Sequence, residues 1–326
     1  MPRILYLHIG THRTATSSIQ KFMHENFQPL MRAGCLYPMR VPRHNRMMSA
    51  IFDGRQDVHE LSAMLTRLAD EKPHDIRAIA LSDEDVAQHD DLSPLLPFTD
   101  HFDVRIVYAM RRQDLWLESW FFQNVKWQWT PLLSHCCFDE MLALREHFHW
   151  IRYDSFLAQL ETLFGAEALR PWVFEDHAMP GGPVREFCRQ IGLADMEGTT
   201  QPPRVNRSMS AQMTEFARQL PLDAFDLTAR DLLCRAMETI DPGPPGERVM
   251  PPAQRREILA EYEAGNAAVA RRYFDRETLF LDPVPDEDTP LGQLALPEDS
   301  AELMRRFIAP LLEQLAETAT LRKGTE

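Results

Sequence analysis

The chain has 326 residues, 44% hydrophobic and 26% charged, which excludes a disordered or fibrous protein and suffices for one large α/β domain with a real core. A net charge of −14 argues against general nucleic-acid binding, which needs a broad basic face, so an anionic ligand would have to be held by locally clustered arginines. No apolar stretch reaches the length of about 18 residues that a membrane span needs. Five cysteines (Cys35, Cys136, Cys137, Cys188 and Cys234) without CxxC spacing point to reduced thiols in a cytoplasmic protein, not to disulfides or a zinc site.

Residues 3–9 (RILYLHI) read as a buried strand and not as a signal peptide, because no small-residue cleavage site follows. Residues 16–33 read as a helix stopped by Gly34, with a kink or early end near Gln28 ahead of Pro29. Helical spacing recurs over 56–71. The run IRAIALS (76–82) is a second strand, and Asp83, Glu84 and Asp85 follow it. A third strand, VRIVYAM (104–110), runs into a long amphipathic helix that Arg111 is expected to begin. LRPWVFE (169–175) is a fourth strand, and 183–193 a helix ended by Gly192. From about residue 205 the pattern turns helical (SMSAQMTEFARQL, TARDLLCRAMETI, PAQRREILAEYEAGNAAVARRYF), broken by DPGPPGERVMPP, with a last helix over 299–319.

Continuous apolar strands alternating with helices predict an α/β fold, a parallel sheet covered on both faces. The expectation is one domain over 1–326 with a mostly helical section over about 205–326. In such sheets ligands sit at the carboxyl ends of strands. Those ends carry Thr11–Ser18, Ser82–Asp85 and Arg111–Arg112.

The first of these is a strand–loop–helix, HIGTHRTATSSIQ. Unsatisfied N–H groups at a helix start bind anions. Thr14, Thr16, Ser17 and Ser18 add hydroxyls, Arg13 a charged fork, and Gly10 a sharp turn after the strand. The plainer alternative is that Thr16 or Ser17 only caps the helix. A Walker A loop needs G-x-x-x-x-G-K-[ST]; Ala15 stands at the second glycine with no lysine after it, which disfavours a nucleotide triphosphatase. Ser119 lies eight residues after Arg111, about 80° around a helix that began there. Alternatively Arg111 and Arg112 are solvated and Ser119 is a spacer.

Together HIGTHRTATSSIQ and VYAMRRQDLWLES resemble the 5′-phosphosulfate loop and the 3′-phosphate element of the sulfotransferases that use 3′-phosphoadenosine-5′-phosphosulfate (PAPS), in particular bacterial members. Weaker echoes (GCLYP, IALSDED, FGAEALRPWVFE, FCRQIGL, VNRSMS, NAAVARRYF) extend the resemblance to about residue 280. It implies a three-layer P-loop-like fold and a loop, Thr11, His12, Arg13, Thr14, Ala15, Thr16, Ser17 and Ser18, around the 5′-phosphosulfate. Arg13 stands at the family's loop lysine, beside the bridging oxygen, and Arg111 and Ser119 would hold the 3′-phosphate. Arg for Lys at 13 and Ala for Gly at 15 depart from the family pattern; Arg is bulkier and planar, and Ala15 matters if that position needs φ > 0.

Sulfuryl transfer to an alcohol needs a base. Glu84 is the first candidate, at a strand end among other carboxylates that would raise its pKa; His44 is the second. His8 reads as a hydrogen-bonded core residue, Trp116 and Trp120 as core, and Arg204 and Arg207 as further donors. The expected reaction moves a sulfuryl group from PAPS, as co-substrate, to a hydroxyl or amine of a small-molecule or glycan acceptor, with no metal, since loop and arginines supply the positive charge. Two alternatives stay open: a kinase-like phosphotransferase with Asp83 on Mg²⁺, and a PAP/PAPS-binding protein of the same fold without turnover.

Overall fold

The computed structural model describes residues 2–193, 196, 198–200, 209–244 and 246–323. Five strands, β1 (Ile4–His8), β2 (Cys35–Leu36), β3 (Ala78–Ser82), β4 (Asp103–Met110) and β5 (Leu169–Val173), form one parallel sheet in the order β2-β3-β1-β4-β5. The helices are α1 (Thr16–Glu25), α2 (Phe27–Arg32), α3 (Asn45–Phe52), α4 (Val58–Asp70), α5 (Gln113–Trp127), α6 (Pro131–Ser134) and α7 (Phe138–Ala143). They continue with α8 (Tyr153–Phe164), α9 (Pro183–Gln190), α10 (Ala211–Arg218), α11 (Leu227–Ile240), α12 (Pro252–Phe274), α13 (Ser300–Leu303) and α14 (Ala309–Lys323). The fold is α/β, a parallel sheet flanked by helices, with a helical section toward the C-terminus.

The chain divides into two compact units. The first comprises Met1–Gln113, His147–Arg204 and Ala260–Pro283, and contains the sheet. Its strands are apolar on both sides because helices cover both. Tyr6, Ala80, Val107, Ala109 and Trp172 pack with Ile19, Phe22 and Met23 of α1 and with Val184, Phe187 and Cys188 of α9. Their strand neighbours Leu5, Leu7, Ile79, Leu81, Ile106 and Tyr108 are also buried and, by the period-two pleat, face the other way. On that side α8 and the 3-10 turn Ser93–Asp100 meet β5 and β4. The chain leaves β1 toward β2 and β3 and later crosses back to β4, so the strand order reverses at β1. Right-handed crossovers in opposite directions put their helices on opposite faces.

The second unit comprises Asp114–Glu146, Val205–Leu259 and Val284–Glu326. Inside it Arg255, fully buried, donates to Asp114 Oδ2 (2.5 Å) and Glu118 Oε1 (2.9 Å). Glu118 Oε1 also accepts the N–H groups of Val249 and Met250.

Two sequence expectations shift. The 16–33 segment breaks at Asn26, not near Gln28. Asn26 Nδ2 donates to the carbonyls of Phe22 and Thr200, and its Oδ1 accepts the Thr200 N–H. Pro29 then falls in the first turn of α2, where no N–H is needed. Arg111 does not begin a helix; α5 starts at Gln113. The Tyr153 hydroxyl accepts the Arg111 N–H at 3.0 Å and donates to the Arg111 carbonyl, holding that residue in the preceding turn. The angular relation to Ser119 therefore does not apply. β2, only two residues long, was not expected.

Candidate functional site

β3, β1 and β4 are neighbours, so the segments after them lie side by side at one edge of the sheet. The Gly10 carbonyl accepts the Ala109 N–H (2.8 Å), and the Asp83 N–H donates to the His8 carbonyl (3.0 Å). Gly10 has φ +108°, and a Cβ there would lie 3.1 Å from Glu84 Cβ. Glycine is thus required both for the turn and for the approach of the acidic segment.

The loop then folds on itself. The Thr14 hydroxyl donates to the Thr11 carbonyl at 2.6 Å, so Thr14 braces the loop. Arg13 and Ala15 both take left-handed conformations, with φ +65° and +60°. Ala15 is the N-cap of α1 and offers no side-chain cap; neither Thr16 nor Ser17 caps the helix. Among the described residues the N–H groups of Thr16 and Ser17 have no protein acceptor, as expected of the first helical turn. Thr16 is buried, Ser18 half-buried and Ser17 exposed.

Positive charge stands beside this helix start. Arg111 Nη1 donates to the Arg13 carbonyl (2.7 Å), and its guanidinium lies 5.6 Å from the Phe174 ring centre. Arg13 is half-buried, and desolvation lowers its pKa to about 10, which leaves it charged at neutral pH. Arg112 is instead buried, donating to the carbonyls of Asp282 and Pro283.

On the other side lies the acidic segment. His12 Nε2 meets Asp85 Oδ1 at 2.8 Å. Arg43 reaches all three carboxylates, Asp83 at 2.6 Å, Glu84 at 3.4 Å and Asp85 at 2.5 Å. Burial raises Asp83 to about 6 despite Arg43. Asp85 is driven below the usual carboxylate range, its own desolvation being overcome by His12 and Arg43. Glu84 is buried and accepts from Gln20 Nε2 at 2.5 Å. The same amide lies 3.2 Å from Ser82 Oγ, which meets His8 Nδ1 at 2.8 Å.

His44 is buried with both ring nitrogens engaged. Nδ1 accepts the Ser82 N–H (3.1 Å), so Nε2 carries the proton and donates to the Pro38 carbonyl (3.1 Å). Burial pushes its pKa down to about 4, and that of His8 likewise. The first unit thus brings together Thr11–Ser18, Glu84 and Arg111. Ser119 lies on α5 in the second unit. Arg204 and Arg207 fall outside the described residues. Among the described residues no group of three His, Cys, Asp or Glu side chains is placed to hold a metal ion, and no helix is long and apolar enough to cross a membrane.

Sequence reasoning missed Arg43, Gln20 and Tyr153. Gln20 closes the quoted loop motif and Arg43 adjoins His44, but only the fold reveals that each faces residue 84 or its neighbours.

No family model and no curated protein matches the chain. Among solved structures it is similar to the crystal structure of a sulfotransferase from Alicyclobacillus acidocaldarius. That match covers 71% of this chain and 100% of the other, at 16% identity and a TM-score of 0.40.

Proposed function

We propose that this chain transfers a sulfuryl group from PAPS to a hydroxyl or amine of a small-molecule or glycan acceptor. The observation that carries the reading is a helix start without a side-chain cap, on left-handed Ala15, with Arg111 bonded to the loop carbonyl of Arg13. Unpaired N–H groups and the dipole of the helix favour an anion at this start, and Arg111 brings a guanidinium to the same loop. The sequence pairing of this loop with Arg111 and Ser119 supports a donor with a second phosphate.

In this reading the loop N–H groups and the hydroxyls of Thr16, Ser17 and Ser18 hold the 5′-phosphosulfate, and Arg111 and Ser119 the 3′-phosphate. Glu84 takes the proton from the acceptor as its oxygen bonds to sulfur. The sulfur–oxygen bond to the 5′-phosphate breaks, and Arg13 stabilises the charge left on the departing PAP (3′-phosphoadenosine-5′-phosphate). Glu84 is preferred over His44 as base because both nitrogens of His44 are already committed.

The test is a PAP titration of wild type, Arg111→Ala and Ser119→Ala. Loss of a charged phosphate contact is expected to weaken binding by about tenfold to a hundredfold for Arg111→Ala, and less for Ser119→Ala. Unchanged affinity in both variants overturns the 3′-phosphate assignment. A second reading, binding without turnover, is favoured by the two left-handed non-glycine residues in the loop. It predicts tight PAP binding with no labelled product from [³⁵S]PAPS across an acceptor panel, and recovery of turnover in Arg13→Lys/Ala15→Gly.

A further inference from the structure

Glu84 Oε2 is held by Gln20 Nε2 at 2.5 Å, with Arg43 Nε 3.4 Å from the same oxygen. Among the described residues, Oε1 has no hydrogen-bond donor. The two oxygens of this buried carboxylate are therefore unequal: one is fixed to the protein and the other is not. Gln20 is itself buried, and its amide is steadied by Ser82 Oγ at 3.2 Å. It stands on α1, one turn beyond Thr16, on the helix whose first residues form the proposed anion site.

We infer that Gln20 is a positioning residue. It anchors the Glu84 carboxylate to the helix that carries the donor loop, and so fixes which oxygen faces the acceptor and where that oxygen stands relative to the transferred group. The inference rests on the reading of Glu84 as the base. Ser82 and His8 extend the same line of contacts into the sheet, so the Nε2 that holds Glu84 is itself tied to β3 and, through Ser82, to β1. A base displaced by about 1 Å loses roughly a hundredfold in rate while leaving substrate affinity almost untouched.

The experiment compares wild type with Gln20→Met, which keeps the length and apolar stem but removes the N–H donor, and with Gln20→Glu, which puts an acceptor there. Each is assayed for PAP release from PAPS with the best acceptor found for wild type, and for PAP affinity by titration. The expected result is a fall in kcat of about tenfold to a hundredfold in Gln20→Met, larger in Gln20→Glu, with KM for PAPS and PAP affinity within twofold of wild type. A Gln20→Met kcat within twofold of wild type overturns the inference, as does an equal loss of PAP affinity, which marks a role in shaping the loop. Should either variant fail to fold, a crystal structure of wild type with PAP decides: Gln20 Nε2 within hydrogen-bond distance of Glu84 Oε2 upholds the anchor, and an amide turned away from Glu84 removes it. Wild type that neither binds PAP nor releases it from PAPS removes the proposed function itself, an outcome distinct from an active wild type indifferent to residue 20.

Discussion

Ala15 shows what a single methyl group does in this loop. Its φ of +60° brings Cβ against the adjoining carbonyl, a conformation that costs an L-residue about 1–2 kcal/mol and glycine little. Ala15→Gly is expected to stabilise the protein by about 0.5–1 kcal/mol in urea unfolding, the relief being offset partly by the greater freedom of glycine when unfolded. The sequence identified the position but not its conformation, because φ is set by how the loop closes onto Thr11 and Arg111. Histidine sets the acid side of stability. His8 and His44, at about 4 when folded against an ordinary 6.5, are neutral in the fold and take protons more readily when it opens. Their contribution is whole above about 6.5 and lost as pH falls through 4. Asp83, raised to about 6, acts oppositely and gains stability over the same interval, but two histidines outweigh one carboxylate. The melting temperature should therefore drop between pH 6.5 and 4, and by less in His44→Asn when each protein is referred to its own value at pH 7.

At the scale of elements, most of the fold was legible because long apolar strands and capped helices announce themselves. The strands β1, β3, β4 and β5 lie within the expected segments to within a residue or two. Gly34 closes α2 with φ +85°, donating its N–H to the Met31 carbonyl. β2 escaped notice because two residues carry no period. α8 did carry one, since Tyr153, Phe156, Leu157 and Leu160 recur at helical spacing and are all buried; that signal was present and unread. The α1–α2 break was legible to within two residues from Pro29, but its place at Asn26 was not, because Asn26 is held by Thr200, distant in sequence. Asn26 is buried and brackets both backbone groups of Thr200. Asn26→Ala leaves those groups unpaired and should cost about 2 kcal/mol in urea unfolding. Asp57→Ala, which removes an N-cap accepting the Glu60 N–H at 2.9 Å, should cost about 1 kcal/mol.

At the scale of the whole chain, the sequence pattern marks a turn to helices from about residue 205, and the two compact units are drawn by contacts between segments distant in sequence. The second unit owes part of its integrity to Arg255. Arg255→Met removes the buried guanidinium that pairs with Asp114 and Glu118, leaving Glu118 with Arg248 at 3.8 Å, and should destabilise by about 3–5 kcal/mol in chemical unfolding. Replacing all three by apolar residues should recover much of that loss. The backbone passes between the units at 113/114, 146/147, 204/205, 259/260 and 283/284. Neither unit is thus a continuous stretch of polypeptide. A chain ended at residue 204 would keep all five strands yet lose Asn266, the amide partner of Gln113, and Arg272 and Tyr273, which hold Glu161 of α8. No single cut sets a folding module free. Over evolutionary time the helical unit could not be traded between proteins as a cassette; its segments alternate along the chain with those of the sheet-bearing unit, so it had to change in place, residue by residue.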